Sequence, residues 1–327
     1  MVPTPIKYVS LFLVCSVQGA CVDRESVDSA CANNIGGASN ATHDAIHYFS
    51  RVNCYRRYAG MGKVRIEKHI QEATVNHASY LTMNFDPSLP WDASELELED
   101  PSKEGFTGVD GFQRIDRESY VNATSHGAWT HTDRSIPADR SPSGWAAVVD
   151  EEMHHFIFRQ KFLQPRSWGV GLAVDGMWRY SFEVYNFPAD SHVNKPVVYP
   201  RNGQVDVPTT SYNYWGFDGY EIPEGDTGFH ITATVGSIQG GTWLDMNPYD
   251  LVASNVNLTD EQGADLEFWL ITPDSVTPGP FLYTVAVVPK APLAPSTTYT
   301  MTAQIDWVDG TKMVETTFTT AEEEPVE

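Results

Sequence analysis

Cysteine is scarce in this chain: four residues among 327, at positions 15, 21, 31 and 54. None follows position 54, so the body of the protein offers no thiol for nucleophilic catalysis or for a Cys-rich metal cage. Basic residues are few: 21 Lys and Arg stand against 43 Asp and Glu, for a net charge of −22. Phosphate recognition needs clustered cations, so nucleic acid is excluded as a partner and anionic membrane surfaces are disfavoured. No run approaches the roughly 18 apolar residues of a membrane-spanning helix. A G-x-S-x-G elbow, an HExxH helix and a Walker phosphate loop are all missing. What remains is ample material for a packed fold, with 41% hydrophobic and 12% aromatic residues.

The first 21 residues have the layout of an export signal. Lys7 precedes the short apolar run "YVSLFLVCSV", and small residues lead to Cys21. Cleavage before Cys21 by an ordinary peptidase would leave three cysteines, an odd number in an oxidising space. A lipid on Cys21 would leave Cys31 and Cys54 as one disulfide pair, and "VQGAC" is an imperfect lipobox with Gln18 where Leu is usual. Residues 22–44, with "NNIGGASNAT", read as a flexible tether.

Two textures follow. Residues 45–192 mix helical and irregular pieces. "AIHYFSRVNCYRRYAG" and "RIEKHIQEATVNHASYLTMN" carry helical periodicity, and Gly60 ends the first. "SGWAAVVDEEMHHFIFRQKFL" is expected to be one further helix, started by Ser141 or Ser143 beside Pro142. "WGVGLAV" and "MWRYSFEVYNF" alternate as strands. Residues 196–322 lose the helical period and become short Thr-, Val- and Tyr-rich runs spaced by Pro and Gly, the pattern of a β-sandwich. Each region has its own apolar periodicity and is expected to fold alone.

The puzzle of the sequence is "SELELEDPSKEGFTG", residues 94–108, acid-rich and then turning at Pro101 and Gly105. Glu97, Glu99 and Asp100 read as solvated or turn-shaping, with a weak calcium site as the alternative. Phe106 is expected to pack, and Arg114 to be structural. Elsewhere, Glu151 and His155 stand at i,i+4 and fit either a ligand pair or a solvated face. His69 and His77 share one helix and read as packed or surface residues.

Taken in order, "HYFSRVNCYRRYAGM", "EATVNHASYLTMN", "LEDPSKEGFTG" with "QRIDRESY", and "VDEEMHHFIFRQKFLQPRSWGVGLA" resemble the CAP superfamily, that of cysteine-rich secretory proteins, antigen 5 and pathogenesis-related 1 proteins, in its bacterial secreted form. The segment from "VVYPRNGQVDVP" resembles the start of an Ig-like sandwich. The resemblance implies an α+β fold: an α–β–α sandwich followed by an all-β Ig-like domain. It also implies a cleft with two histidines, and this chain has Glu97 and Phe158 at those positions, with Arg159 retained. The family's cleft Glu has no match in 121–140, where His126 and His131 stand instead. The candidate cleft is therefore Glu97, Glu99, His77, His126, His131, His155, Phe158 and Arg159. With its imidazoles replaced it implies no zinc and no cofactor. The expectation is an exported, secreted or lipid-anchored monomer of the cell envelope that binds an apolar ligand, a glycan or an envelope protein without catalysis. A hydrolase using other cleft residues and an adhesion spacer are the alternatives.

Overall fold

The computed structural model describes residues 39–86, 88, 96–115, 127–133, 136–137, 140–164, 167–185, 195–213, 222–235, 251–273, 284–307 and 310–322. The export signal, most of the tether, Cys15, Cys21, Cys31 and His126 lie outside them, as does the expected boundary around residue 193.

Helix α1 spans His43–Tyr58. Thr42 caps it by accepting from the Ala45 amide at 3.2 Å, and Gly60, at φ 76°, takes the left-handed turn that ends it. A two-residue strand β1 (Arg65–Ile66) leads to α2 (Lys68–Asn84), where the Glu67 carboxylate accepts from the His69 and Ile70 amides. After the acidic turn come the single helical turn α3 (Gly111–Arg114) and strand β2 (Gly127–Asp133). Helix α4 (Pro142–His154) starts on Ser141 with Pro142 in its first turn, as read from the sequence. The expected single helix through this region is in fact two. His155 is extended at φ −94° and ψ 119°, and α5 (Phe156–Phe162) starts afresh. Strands β3 (Ser167–Asp175) and β4 (Trp178–Tyr185) complete one sheet in the order β1-β3-β4-β2, with β1 parallel to β3 and the other pairs antiparallel.

The two faces of β3 set the layering. Val170 and Leu172 join the core with Tyr48, Phe49 and Val52 of α1 and Trp145 and Val149 of α4. Ala173 faces Ile70, Ala73 and Ala78 of α2 on the opposite side. Helix α2 lies very close to this face. A Cβ on Gly171 would sit 2.8 Å from the Ile70 carbonyl oxygen and 2.9 Å from the Gln71 Cα, so only glycine permits the approach. The Gln71 amide uses that closeness to extend the strand ladder, donating to the Leu172 carbonyl at 2.7 Å and accepting its N–H at 3.2 Å.

Among the described residues of the second half the regular elements are strands. One sheet runs β10-β13-β14-β6, formed by Val252–Asp260, Thr298–Trp307, Gly310–Thr320 and Gln204–Val207. The other runs β11-β12-β9-β5, formed by Phe268–Ile271, Thr284–Pro289, Ile231–Thr234 and Val197–Tyr199. A small pair, β7 (Thr210–Asn213) with β8 (Gly225–Gly228), stands beside them. In β13 burial alternates residue by residue, and Tyr299, Met301, Ala303 and Ile305 enter the core. Strand β12 is buried on both faces. Val285 and Val287 enter the space between the sheets, while Ala286 and Val288 pack with Phe156 of α5, Ile222 and Ile271. The helical half therefore covers the outer face of this sheet.

Candidate functional site

The acidic turn is neither solvated throughout nor open. Glu99 and His77 both have side chains at 0% exposure. His77 reaches Glu99 Oε1 through Nδ1 at 2.8 Å and the Leu96 carbonyl through Nε2 at 2.8 Å. The other Glu99 oxygen accepts from the Thr107 amide at 2.6 Å and the Gly108 amide at 3.2 Å. The Arg114 guanidinium lies 3.8 Å from Glu99 and donates to the Glu97 carbonyl and, at 2.8 Å, to the Tyr180 hydroxyl. Asp100 closes the turn from its solvent side, accepting from the Ser102 amide and hydroxyl, and its own amide donates to the Tyr80 hydroxyl.

Electrostatics of the pair follow from these contacts. Burial would raise Glu99, but the hydrogen bonds from His77 and the Thr107 amide, with the Arg114 charge, hold it below the ordinary carboxylate range. Burial pushes His77 down, and the Glu99 hydrogen bond opposes that push without reversing it. Both ring nitrogens nevertheless face acceptors. The Leu96 carbonyl can only accept, so Nε2 donates to it and Nδ1 faces the Glu99 carboxylate. With no solvent access, this arrangement pins residues 96–115 to α2 and β4 rather than meeting a substrate. Around it, Leu98, Phe106 and Val109 face solvent at 50%, 37% and 37%. Phe106, expected to pack, does not: the turn spends its inward positions on Leu96 and Glu99.

The remaining candidates gather elsewhere. His155 is the break between α4 and α5, its ring edge-on to Phe158 at 6.1 Å. Arg159 does not line a cleft. It is fully buried, donates from Nε to the Met153 carbonyl at 2.7 Å and from Nη2 to that of His154 at 3.2 Å, and also donates to the His230 carbonyl across the seam. Its guanidinium lies over the rings of Tyr199 (4.9 Å) and Phe229 (4.6 Å). His131 stands on β2 opposite Ser181. His77 and Glu99 meet Leu96, Thr107, Gly108 and Arg114, whereas Arg159 meets Met153, His154 and His230. Among the described residues no three His, Cys, Asp or Glu are grouped to hold a metal ion.

Sequence reasoning missed two participants. Tyr180 orients Arg114, and His230 meets Arg159; each pairing spans at least 66 residues and leaves no local signal. It also missed a buried pair in the helical core, where Glu152 accepts from Arg179 and, at 2.5 Å, from the Tyr48 hydroxyl.

No protein-family model and no curated protein matches this chain. Among solved structures, an extracellular protein containing an SCP domain from Bacillus anthracis str. Ames is similar over 42% of this chain and 39% of that chain, at 11% identity and a TM-score of 0.30. The chain thus spans about two fifths of that protein's length, and a likeness of this size carries no argument about fold or function. Among the described residues no helix is long and apolar enough to cross a membrane.

Proposed function

We propose that this chain is an exported cell-envelope protein whose helical half is a CAP-like domain without the cleft histidines, joined to an Ig-like sandwich, and that it binds an apolar ligand, a glycan or an envelope protein without catalysis. The observation that carries the reading is internal consumption of the candidate chemistry. His77 and Glu99 are sealed at 0% exposure, and Arg159 is spent on three main-chain carbonyls. The two positions aligned with cleft imidazoles are Glu97 and Phe158, neither of which supplies a nitrogen ligand. The proposal includes a lipid on Cys21 and a Cys31–Cys54 disulfide.

Zinc calorimetry on the mature protein at neutral pH tests the non-catalytic reading. Negligible heat is expected. Stoichiometric, tight binding that is lost in His155→Ala would overturn it and put a metal-dependent hydrolase in its place. Intact-mass analysis after expression in a Gram-negative host tests the anchor: a diacylglyceryl mass on Cys21 is expected, and an unmodified Cys21 removes that part of the proposal.

A further inference from the structure

The seam between the two halves is built on one buried cation, Arg159, whose hydrogen bonds go to main-chain carbonyls. We propose that it is an acid-released joint, held shut while His154 and His230 are neutral and opened when either takes up a proton beside Arg159.

The geometry is as follows. Arg159 occupies the gap left by the break at His155, where α4 ends with open carbonyls. Its guanidinium satisfies the Met153 and His154 carbonyls on one side and the His230 carbonyl on the other, so one buried charge ties the two halves together. The negative end of the α4 dipole supports it there. Around it Ser211 donates to the His154 carbonyl at 2.9 Å, Arg201 donates to the Tyr58 carbonyl at 3.2 Å from the seam's edge, and the Tyr55 and Tyr199 rings meet at 6.1 Å beside the Arg51–Asp150 pair.

Arg159 and His155 disfavour a charge on either histidine, and Asp150 partly offsets them at His154. His154 packs edge-on to Phe229 at 6.1 Å and feels Arg159 of α5, His155 at the break and Asp150 of its own helix. Asp150 is already engaged by Arg51 at 2.6 Å and by the Tyr55 hydroxyl at 2.8 Å. Glu152, the carboxylate nearest His155, is engaged by Arg179 and the Tyr48 hydroxyl. Among the described residues, His230 feels Arg159 and His155. Its ring is 5.3 Å from that of Phe156, its Nε2 meets the Thr227 hydroxyl at 2.8 Å, and its Nδ1 is buried with no hydrogen-bond partner among the described residues. A proton added at Nδ1 would therefore create both a buried charge beside a guanidinium and a buried unsatisfied donor.

Titration directions agree with this geometry. Burial, then Arg159, pushes His154 down to about 4 and His230 well below its usual 6.5. In an opened joint both rings are hydrated and titrate near 6.5. Between these limits the open state holds more protons, so the joint tightens as pH rises through the window and loosens as pH falls from about 6.5 towards 4. The opening constant should rise about tenfold per pH unit for each histidine that takes up a proton.

Calorimetric unfolding of the mature full-length chain between pH 7.5 and 4.5 tests the proposal. One transition is expected at pH 7.5, resolving into two as the halves uncouple below about pH 5.5. In the double variant His154→Gln, His230→Gln the splitting should move down by at least one pH unit. A wild-type transition that stays single to pH 4.5, or a double variant that splits at the same pH as wild type, overturns it. Should the double variant fail to fold, the wild-type His154 and His230 ring-proton titrations decide by nuclear magnetic resonance. Midpoints near 6.5 in a protein that remains closed overturn the proposal, and depressed midpoints coincident with opening support it.

Discussion

Glu99 shows how one side chain settles a turn. Its neighbours Leu98 and Asp100 are exposed, as strand-like alternation would place them, and it alone enters the interior to meet His77, Thr107, Gly108 and Arg114. Glu99→Gln keeps the shape but removes the charge that Arg114 compensates. Loss of one partner of a buried ion pair costs about 3–5 kcal/mol, so a destabilisation of that order is expected in urea unfolding. A loss under about 1 kcal/mol would mean the pair is energetically idle. The pH dependence has a definite sign. Glu99 is held below its unfolded value of 4.5, so its contribution is present above that value and is lost as pH falls through the lower folded value. The acid limb of the wild-type stability curve should be shallower in the Gln variant.

At the scale of elements, two features fix how layers meet. Gly171 lets α2 approach β3 until the Gln71 amide can pair with Leu172. Gly171→Ala puts a methyl against the α2 backbone and cannot be relieved by a rotamer change. We expect a loss of about 1–3 kcal/mol, typical of overpacking, with an unchanged circular-dichroism spectrum at low temperature. Gly62, whose Cβ would meet nothing within 4 Å, is the control and should tolerate Ala. The break at His155 is the second feature. Periodicity alone reads straight through "DEEMHHFIFRQKFL", because apolar residues continue on both sides of it. What stops the helix is the docking of Phe156 onto β12 and the return of Arg159 to the α4 carbonyls, both long-range events. Arg159→Met should cost about 3 kcal/mol or more, since three carbonyls lose a charged donor. Arg159→Lys should recover only part of this, lacking the planar fork.

Across the whole molecule, the division into a helical and a strand-rich half agrees with the change of texture in the sequence, but one apolar core runs through both. Tyr55 and Tyr58 of α1 belong to the same cluster as Tyr199, Phe229 and the inner faces of both sheets. Fragment 196–322 alone would expose Ala286 and Val288, which Phe156 covers in the intact chain. Expressed separately, fragments 40–192 and 196–322 should each unfold at a lower denaturant midpoint than the intact protein at pH 7.5, whereas equal midpoints would show that the seam contributes nothing.

By itself the sequence determined what local chemistry controls. A helix start beside Pro142, Gly60 as a stop, the alternation of Val170, Leu172 and Val174, and the loss of helical period after residue 196 are all written within a few residues of where they act, whereas Thr42, inside the stretch that reads as a tether, caps α1. Tertiary structure decided where the charged candidates went. Glu99 and Asp100 are adjacent and both acidic, yet one is buried and the other exposed, because only the first faces an imidazole 22 residues away and a guanidinium. Arg159 and His155 read as cleft residues, yet Arg159 serves a seam whose other wall, His230, lies 71 residues on. A buried charge is stable only where its partners converge, and convergence is a property of the folded chain that no short window of sequence contains.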